Sequence, residues 1–332
     1  MSRIPMRPSV AAGVVLWLII AITLPHVVAA AGVRDFIVLS AIFAITAVGY
    51  DFIIGSCRLF ALGQAGLMCI GAYVAGYSSV SWGFGPFLAA VLAVLGPIVA
   101  TLFIGGPSLR LRGLYFGIAT LVFAILVVSI VTAWTDVTGG ASGLSGLPSL
   151  GSGNVANVDY AFWVPFSLIS LGVVLVAARW LIVSRIGDAW RAIARDEVLA
   201  ANLGIDIFRM KMLAFVLSAA CAGYAGFLFA YYVQFLTPDY FGMRLTVSLL
   251  LMVYLGGAGS GWGPMLGAFI VQGLSSFLPS DTDWFEAFYA LVVLTVLALM
   301  PQGLAGTISP ISARFGVSLF RRSAKRAVGR AY

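Results

Sequence analysis

The chain contains runs of uncharged residues that are too long for the buried helices of a soluble domain. Residues 59–109 hold no charged side chain, and neither do residues 8–33, 113–135 and 212–238. A helix that crosses the hydrocarbon core needs about 20 apolar residues, so the first run is long enough for two spans and a turn. Only helices and closed barrels can cross lipid, and no period-two alternation indicates a barrel. The sequence therefore predicts an all-α, polytopic transmembrane helix bundle.

Composition agrees with this class, since 61% of the 332 residues are hydrophobic and 9% are charged. We expect residues 1–332 to form a single transmembrane domain. The first span is either uncleaved or a signal peptide, and its length favours an uncleaved span. About ten spans are predicted, near 10–31, 37–56, 60–80, 86–107, 114–134, 160–181, 212–235, 244–258, 264–279 and 285–302.

The basic residues predict the orientation of these spans. With the N-terminus in the cytoplasm, 17 of the 19 Lys and Arg residues fall on the cytoplasmic side, and only Arg34 and Arg244 fall outside. This is the distribution that the positive-inside rule describes, so both termini are expected to be cytoplasmic. Residues 135–159 then form a periplasmic loop and residues 310–332 a basic cytoplasmic tail. The net charge of +7 follows from topology and needs no nucleic-acid partner.

Two helix openings share Trp, Gly and Pro. Residues 81–86 read SWGFGP before the predicted fourth span, and residues 260–264 read SGWGP before the ninth. Because these openings fall on opposite faces of the membrane, five spans apart, they are what an inverted 5+5 repeat would leave. Proline is also generic in the first turn of a helix.

Residues 185–211 carry nine of the chain's 31 charged side chains. Charges of both signs at this density are expected in water or against a soluble partner. The pattern predicts one helix from Arg185 to about Leu203, ended by Gly204. This helix could lie on the membrane surface or dock a partner, and the acidic pair Asp196 and Glu197 favours docking because the cytoplasmic leaflet is negative.

Two features of the sequence are candidates for a substrate pathway through the membrane. Asp51 lies in an apolar span, where a carboxylate is expected to face the protein interior or a wet cavity. It could serve a permeation pathway or gate, bond to a neighbouring helix, or pair with Arg58. The outer segment 138–159 is rich in glycine and serine, so an ordered helix is not expected there. It could bring backbone N–H groups to a small ligand or act as a flexible connector.

Several stretches resemble the permeases of branched-chain amino acid ABC importers of the LivM type. They are LRLRGLYFGIATLVFA (109–124), TGGASGLSGLP (138–148), residues 213–242, SLLLMVYLGGAGSGWGPMLGA (248–268), MPQGL (300–304) and residues 185–211. Ala200-Ala201-x-x-Gly204 resembles the Ala-Ala…Gly motif that docks the ATPase in such importers. The chain departs from the family at Asp51, usually Asn, at Gln64-Ala65 and at residues 57–60, which leaves urea, short amides and aromatic acids open as cargoes.

The resemblance implies a heteromeric importer in the bacterial inner membrane, with a second permease, two ATP-binding cassette subunits and a periplasmic substrate-binding protein. Neither Lys211 nor Lys325 follows a glycine, so no Walker A loop is present, and ATP is expected to be hydrolysed by the partners. No cofactor or metal is expected on this chain.

We expect Trp190 and Ile193 to fill a groove on the ATPase, while neighbouring charges set the register. The residues predicted to couple to the ATPase are Trp190, Arg191, Ile193, Arg195, Asp196, Glu197, Ala200, Ala201 and Gly204. Those predicted to line a substrate pathway are Asp51, Gln64, Tyr115, Thr138, Gly139, Gly140 and Ser142. The rival hypothesis is a secondary transporter in which Asp51 carries a proton or ion. A membrane enzyme is disfavoured because the sequence shows no nucleophile–base pair.

Overall fold

The computed structural model describes residues 30–111, 113–150 and 158–277, together with Trp17 and Thr23. Two strands, β1 Leu144–Ser145 and β2 Phe235–Leu236, accompany the helices. A π-helical turn, Phe52–Ser56, continues the first helix, and 3₁₀ turns cover Gly140–Ser142 and Pro238–Phe241. The α-helices are α1 Ala31–Asp51, α2 Gln64–Val80, α3 Pro86–Ser108, α4 Leu114–Ala133, α5 Thr135–Thr138, α6 Tyr160–Val183, α7 Arg185–Arg195, α8 Glu197–Asn202, α9 Ile207–Val233, α10 Met243–Gly256 and α11 Gly263–Phe277.

Five segments among the described residues are long and apolar enough to cross a membrane. They are Ala31–Ser56, Pro86–Ser108, Leu114–Ala133, Tyr160–Val183 and Ile207–Val233. The predicted spans 37–56, 86–107, 114–134, 160–181 and 212–235 fall on these segments. Helices α2, α10 and α11 are shorter, although they coincide with the other predicted spans in this region. The predicted span 285–302 lies outside the described residues, and of the predicted span 10–31 only Trp17, Thr23, Ala30 and Ala31 are described.

Helix α1 lies at the centre of the bundle. Every residue from Ser40 to Ile54 is buried, whereas α3, α4 and α6 expose large apolar side chains such as Phe87, Ile118 and Val173. An apolar helix that is buried all round belongs in the interior, and the exposed apolar faces are suited to lipid. Around α1 pack α6, α9, α10 and α11, so the centre of the bundle combines distant parts of the chain.

Helix α9 is the second interior helix and contacts α1, α2 and α3. A Cβ on Gly71 of α2 would collide with Gly223 of α9, and a Cβ on Gly223 would collide with the backbone of Ala93 in α3. Small residues let helix backbones approach this closely, which supplies packing contacts that lipid cannot replace. The glycines of α2 and α9 are therefore required for the close contact of three helices.

One end of the bundle is held by polar contacts and by the strand pair. The Asp35 carboxylate accepts hydrogen bonds from the hydroxyl groups of Tyr160, at 3.2 Å, and Tyr232. These contacts join α1, α6 and α9 at this end. Since α7 and α8 follow the other end of α6, they lie at the opposite end of the bundle.

The strands β1 and β2 form a short antiparallel pair, in which Leu144 faces Leu236 and Ser145 faces Phe235. The pair fastens the glycine-rich connection after α5 to the end of α9. The all-α expectation therefore missed a small element, because two paired residues are too short to produce a periodic pattern.

Candidate functional site

The chain turns sharply as it passes from α6 into α7. The Ser184 hydroxyl accepts a hydrogen bond from the N–H of Ile186 at 3.2 Å, which caps α7. Gly187 lies so close to Ile182 that a Cβ would collide with the Ile182 carbonyl. Arg191 donates a hydrogen bond to the same carbonyl at 2.8 Å. These contacts fix the direction in which α7 leaves the bundle.

Trp190 and Ile193 form the inner face of α7, with 0% and 2% of their surface exposed. The Trp190 indole donates a hydrogen bond to the carbonyl of Met210, in α9, at 2.9 Å. Its ring centroid lies 5.7 Å from that of Phe52, in the π-helical turn after α1. The prediction that these two side chains fill a groove on a partner is therefore wrong, because both are buried within this chain. Their part in coupling stays a prediction.

The helix predicted from Arg185 to about Leu203 is interrupted at Asp196. The backbone of Asp196 is extended, with φ −159° and ψ 113°. Its carboxylate accepts hydrogen bonds from the N–H groups of Val198, at 2.8 Å, and Leu199, at 3.1 Å. This is the geometry of an N-cap, so Asp196 ends α7 and begins α8. The prediction of a single helix is wrong.

Helix α8 is followed by Gly204, the residue at which the sequence predicts the end of the helical segment. Gly204 has φ +80°, and its N–H donates to the Ala201 carbonyl at 2.9 Å. The next N–H, from Ile205, donates to the Ala200 carbonyl at 3.2 Å. A left-handed residue after a helix favours glycine, because other side chains meet the backbone there. The predicted cap at Gly204 is confirmed.

Apolar side chains of α8 point away from the bundle. Val198, Leu199 and Leu203 have 72%, 59% and 71% of their surface exposed, and we call these residues the projecting patch. Ala201 beside them is exposed, whereas Ala200 is buried. Exposed apolar side chains among so many charged residues are suited to contact with a partner or with the membrane surface.

The charged residues of α7 lie on its outer side. Arg191 forms an ion pair with Asp188 at 2.6 Å, and both side chains are largely exposed. Arg195, one turn further along and next to the start of α8, is also exposed. Arg191 and Arg195 therefore share a face opposite Trp190, as the helical spacing predicts.

A second contact holds α8 to the bundle. The ammonium group of Lys211, in α9, forms an ion pair with the Glu197 carboxylate at 2.7 Å. The Lys211 side chain is 9% exposed and the Glu197 side chain 47%.

Cys57, just after the π-helical turn, is also buried, and burial raises the pKa of its thiol to about 12 although the charge of Lys211 opposes this. The thiol is therefore protonated at neutral pH and is a poor nucleophile.

Asp51, at the end of α1, is fully buried and faces the turn between α10 and α11. Its carboxylate accepts hydrogen bonds from the backbone N–H of Gly259 at 2.6 Å and of Gly261 at 3.1 Å. Within the described segments it forms no ion pair with Arg58, which is exposed. The structure thus favours the interpretation in which Asp51 bonds to a neighbouring element, although that element is a turn rather than a helix.

The other predicted pathway residues do not come together. The Gln64 amide donates to the Ser218 carbonyl at 3.2 Å and accepts from the Ser218 hydroxyl at 3.0 Å, so it joins α2 to α9. Tyr115 is 73% exposed at the start of α4. The other predicted residues, Thr138, Gly139, Gly140 and Ser142, follow the far end of α4, with only Thr138 and Gly140 buried. Gly139 and Gly140 have positive φ. Their role in a pathway stays a prediction.

Sequence reasoning missed Phe52, Met210 and the projecting patch. Val198 and Leu199 stand beside each other in a run of charged residues, and this contrast could have identified them. The partners of Trp190 carry no such signal, since Phe52 is 138 positions away in the sequence and Met210 accepts through its backbone carbonyl, which does not depend on its side chain. Their contacts depend on how α1 and α9 pack.

Long apolar helices, an interior of close helix contacts and a polar segment at one end define an integral membrane protein of the helix-bundle class. The family described as "Branched-chain amino acid transport system / permease component" matches residues 32–297, and the chain belongs to this family. It is accordingly a membrane permease. No solved structure is significantly similar to it.

Individual permease proteins are also similar to this chain in sequence. The chain is 29% identical over 316 residues to the high-affinity branched-chain amino acid transport system permease protein LivM of Salmonella typhimurium, covering 88% of this chain and 74% of LivM. The same values hold for LivM of Escherichia coli. The permease protein LivH of Escherichia coli is 30% identical over 158 residues, which cover 47% of this chain and 49% of LivH.

Proposed function

We propose that this chain is the membrane-spanning permease subunit of an ATP-driven importer of branched-chain or related hydrophobic amino acids in the bacterial inner membrane. The projecting patch is the observation that carries the proposal. It presents Val198, Leu199 and Leu203 on a segment whose inner face is packed on the bundle. Such a surface gives a soluble ATPase a place to dock. Family membership and the names of the relatives support the cargo class.

The proposed complex contains a second permease, two ATP-binding cassette subunits and a periplasmic binding protein. LivM and LivH of Escherichia coli carry the name of one high-affinity transport system, which supports a pair of different permeases. We further propose ten spans with both termini in the cytoplasm and an inverted 5+5 repeat. In this orientation the α7–α8 segment faces the cytoplasm, and the β1–β2 pair faces the binding protein.

The proposed mechanism is alternating access. ATP binding and hydrolysis displace the ATPase subunits, the α7–α8 segment follows them, and the bundle changes between outward-open and inward-open forms. Transport then results from the difference in stability that nucleotide imposes on the two forms. In this arrangement the projecting patch contacts the ATPase, Arg195 adds a charged contact at its edge, and Trp190 and Ile193 hold the segment to the bundle.

The proposal is tested by reconstituting the full complex in proteoliposomes and measuring uptake of labelled leucine, isoleucine and valine. Gly204→Val strains a residue with φ +80°, and Arg195→Glu reverses an exposed charge beside the patch. Both variants are expected to insert normally and to lose uptake. Gly204→Asn, which tolerates the left-handed region, and Arg195→Lys, which keeps the charge, are the matched controls and are expected to retain uptake.

Two results would contradict the proposal. Normal uptake by both Gly204→Val and Arg195→Glu would remove the α7–α8 segment from the mechanism. Uptake by the purified chain alone under an ion gradient would establish the rival secondary transporter. Competition by urea, short amides or aromatic acids instead of aliphatic amino acids would change the cargo and keep the importer.

A further inference from the structure

The turn between α10 and α11 is built almost entirely from glycine and small residues. Helix α10 ends at Gly256 and α11 begins at Gly263, and these two glycines are in direct contact. The turn residues Gly257, Gly259 and Gly261 have φ of +103°, +84° and +78°. Because three residues adopt left-handed backbone within five positions, the turn has one compact shape that larger side chains would strain.

Asp51 holds this turn against the end of α1. Its two carboxylate oxygens accept from the N–H groups of alternate turn residues, Gly259 at 2.6 Å and Gly261 at 3.1 Å. Two bonds from one side chain fix the orientation of the turn as well as its distance. A Cβ on Gly55 would collide with both Asp51 and Gly259, so the π-helical turn after Asp51 is shaped to admit the contact.

The same junction contacts α7 directly and also contacts the last turn of α6, to which α7 is hydrogen-bonded. Phe52 follows Asp51 directly, and its ring packs on Trp190 of α7. On the other side of the turn, a Cβ on Gly261 would lie 2.8 Å from the side chain of Ile182. The carbonyl of Ile182 in turn accepts the hydrogen bond from Arg191 of α7 at 2.8 Å. The residue after Asp51 therefore packs on α7, and the glycine turn packs on Ile182, to which α7 is hydrogen-bonded.

Helix α10 cannot behave as an ordinary span. Its 14 residues reach about 21 Å, which is less than the ~30 Å thickness of the hydrocarbon core. A Cβ on Gly267 of α11 would collide with the backbone of Met252 of α10, so the two helices are packed tightly as one hairpin. A push on the turn consequently displaces both helices together, since their close contact leaves little room for independent movement.

We propose that Asp51 is a positioning residue that transmits displacement of the α7–α8 segment to the α10–α11 hairpin, through Phe52 and Trp190 on one side and the glycine turn on the other. The proposal rests on the function proposed above, in which that segment is moved by an ATPase. It gives the α10–α11 hairpin the role of the element that moves during transport. Asp51 then acts through backbone contacts and need not touch the cargo.

The test uses the complete transporter in proteoliposomes and measures the number of cargo molecules imported per ATP hydrolysed. Asp51→Leu keeps about the size of the side chain, but it can accept from neither of the two glycine N–H groups. We expect import per ATP to fall about tenfold, as for loss of a typical coupling between sites, while ATP hydrolysis continues. A residue needed only for folding would lower import and ATP hydrolysis in proportion, through the amount of assembled complex, and would leave import per ATP unchanged.

Asp35→Leu is the matched control. Asp35 lies on the same helix at its other end, and its carboxylate also accepts two hydrogen bonds, although from tyrosine side chains. Import per ATP is expected to be unchanged in this variant. If Asp51→Leu leaves import per ATP at the wild-type value, or if Asp35→Leu lowers it as much, the assignment of Asp51 is overturned.

A second variant keeps the proposal testable if Asp51→Leu does not assemble. Phe52→Leu removes the ring contact with Trp190 and keeps an apolar side chain, and it is expected to lower import per ATP. Where both single variants assemble, the double variant should lower import per ATP no further than the more damaging of the two single variants. Both substitutions interrupt the same chain of contacts, so their effects should not multiply. Multiplicative losses, or an unaffected Phe52→Leu, would contradict the proposal. Failure of the proposed function itself is distinguishable, since the wild-type complex would then import nothing on addition of ATP.

Discussion

The two short helices between α6 and α9 differ in where their apolar side chains go. In α7 they turn inward, where Trp190 and Ile193 are buried beneath an exposed charged face. In α8 they turn outward as Val198 and Leu199, and the helix is held mainly by its Asp196 cap and the ion pair of Glu197 with Lys211. The break at Asp196 makes this reversal possible, because one continuous helix would keep its apolar stripe on one side.

The two helices therefore have different tasks. Substitutions of the buried residues of α7 are expected to change the stability of the permease itself. Substitutions in the projecting patch are expected to leave the isolated permease intact and to affect only its contact with a partner.

The largest effect is expected for Trp190→Ala. The substitution removes a fully buried indole, its hydrogen bond to Met210 and its contact with Phe52. The free energy of unfolding should fall by about 3–5 kcal/mol, as for other truncations of large buried aromatics. Denaturation of the purified permease in detergent measures this quantity. A loss no greater than that of an exposed substitution would mean that α7 is not anchored through Trp190.

A smaller effect is expected for Glu197→Gln. The change leaves the nearly buried ammonium of Lys211 without its carboxylate partner, which costs about 1–3 kcal/mol for a charged group. Thermal unfolding of the same purified permease should show the loss. Asp188→Asn removes a carboxylate from an exposed ion pair and serves as the control, with an expected change of at most about 1 kcal/mol. Equal losses in the two variants would show that α8 is not fastened by the Lys211 contact.

The smallest change in stability is expected for Leu199→Ser. Leu199 is 59% exposed, and exposed substitutions usually change the free energy of unfolding by at most about 0.5 kcal/mol. Binding to the ATPase subunit, measured by co-purification, should nevertheless be lost. Retained co-purification would show that the projecting patch is not the docking surface.

The bounds of α3 and α4 could be predicted well because charge and Gly or Pro mark their ends, whereas α1 and α9 begin five or six residues before their predicted spans. The span predicted at 86–107 is observed as Pro86–Ser108, and that predicted at 114–134 as Leu114–Ala133. The break at Asp196 was missed although Asp is a good N-cap, since helical periodicity continues across it. The partner of Asp51 could not be found from sequence at all. Gly259 lies 208 positions away, and the contact depends on how the α10–α11 hairpin packs.

The interior position of α9 has a consequence for how the protein is made. α1, α2 and α3 all pack on α9, yet about 100 residues separate the end of α3 from the start of α9. At synthesis rates of about 5–20 residues per second, α3 waits roughly 5–20 s in the bilayer before α9 emerges from the ribosome, and α1 and α2 wait longer. During that interval the backbone surfaces around Gly71 and Ala93 are uncovered. A chaperone or the insertion machinery could protect these surfaces during the interval. In a chain that stops before α9, they would remain uncovered.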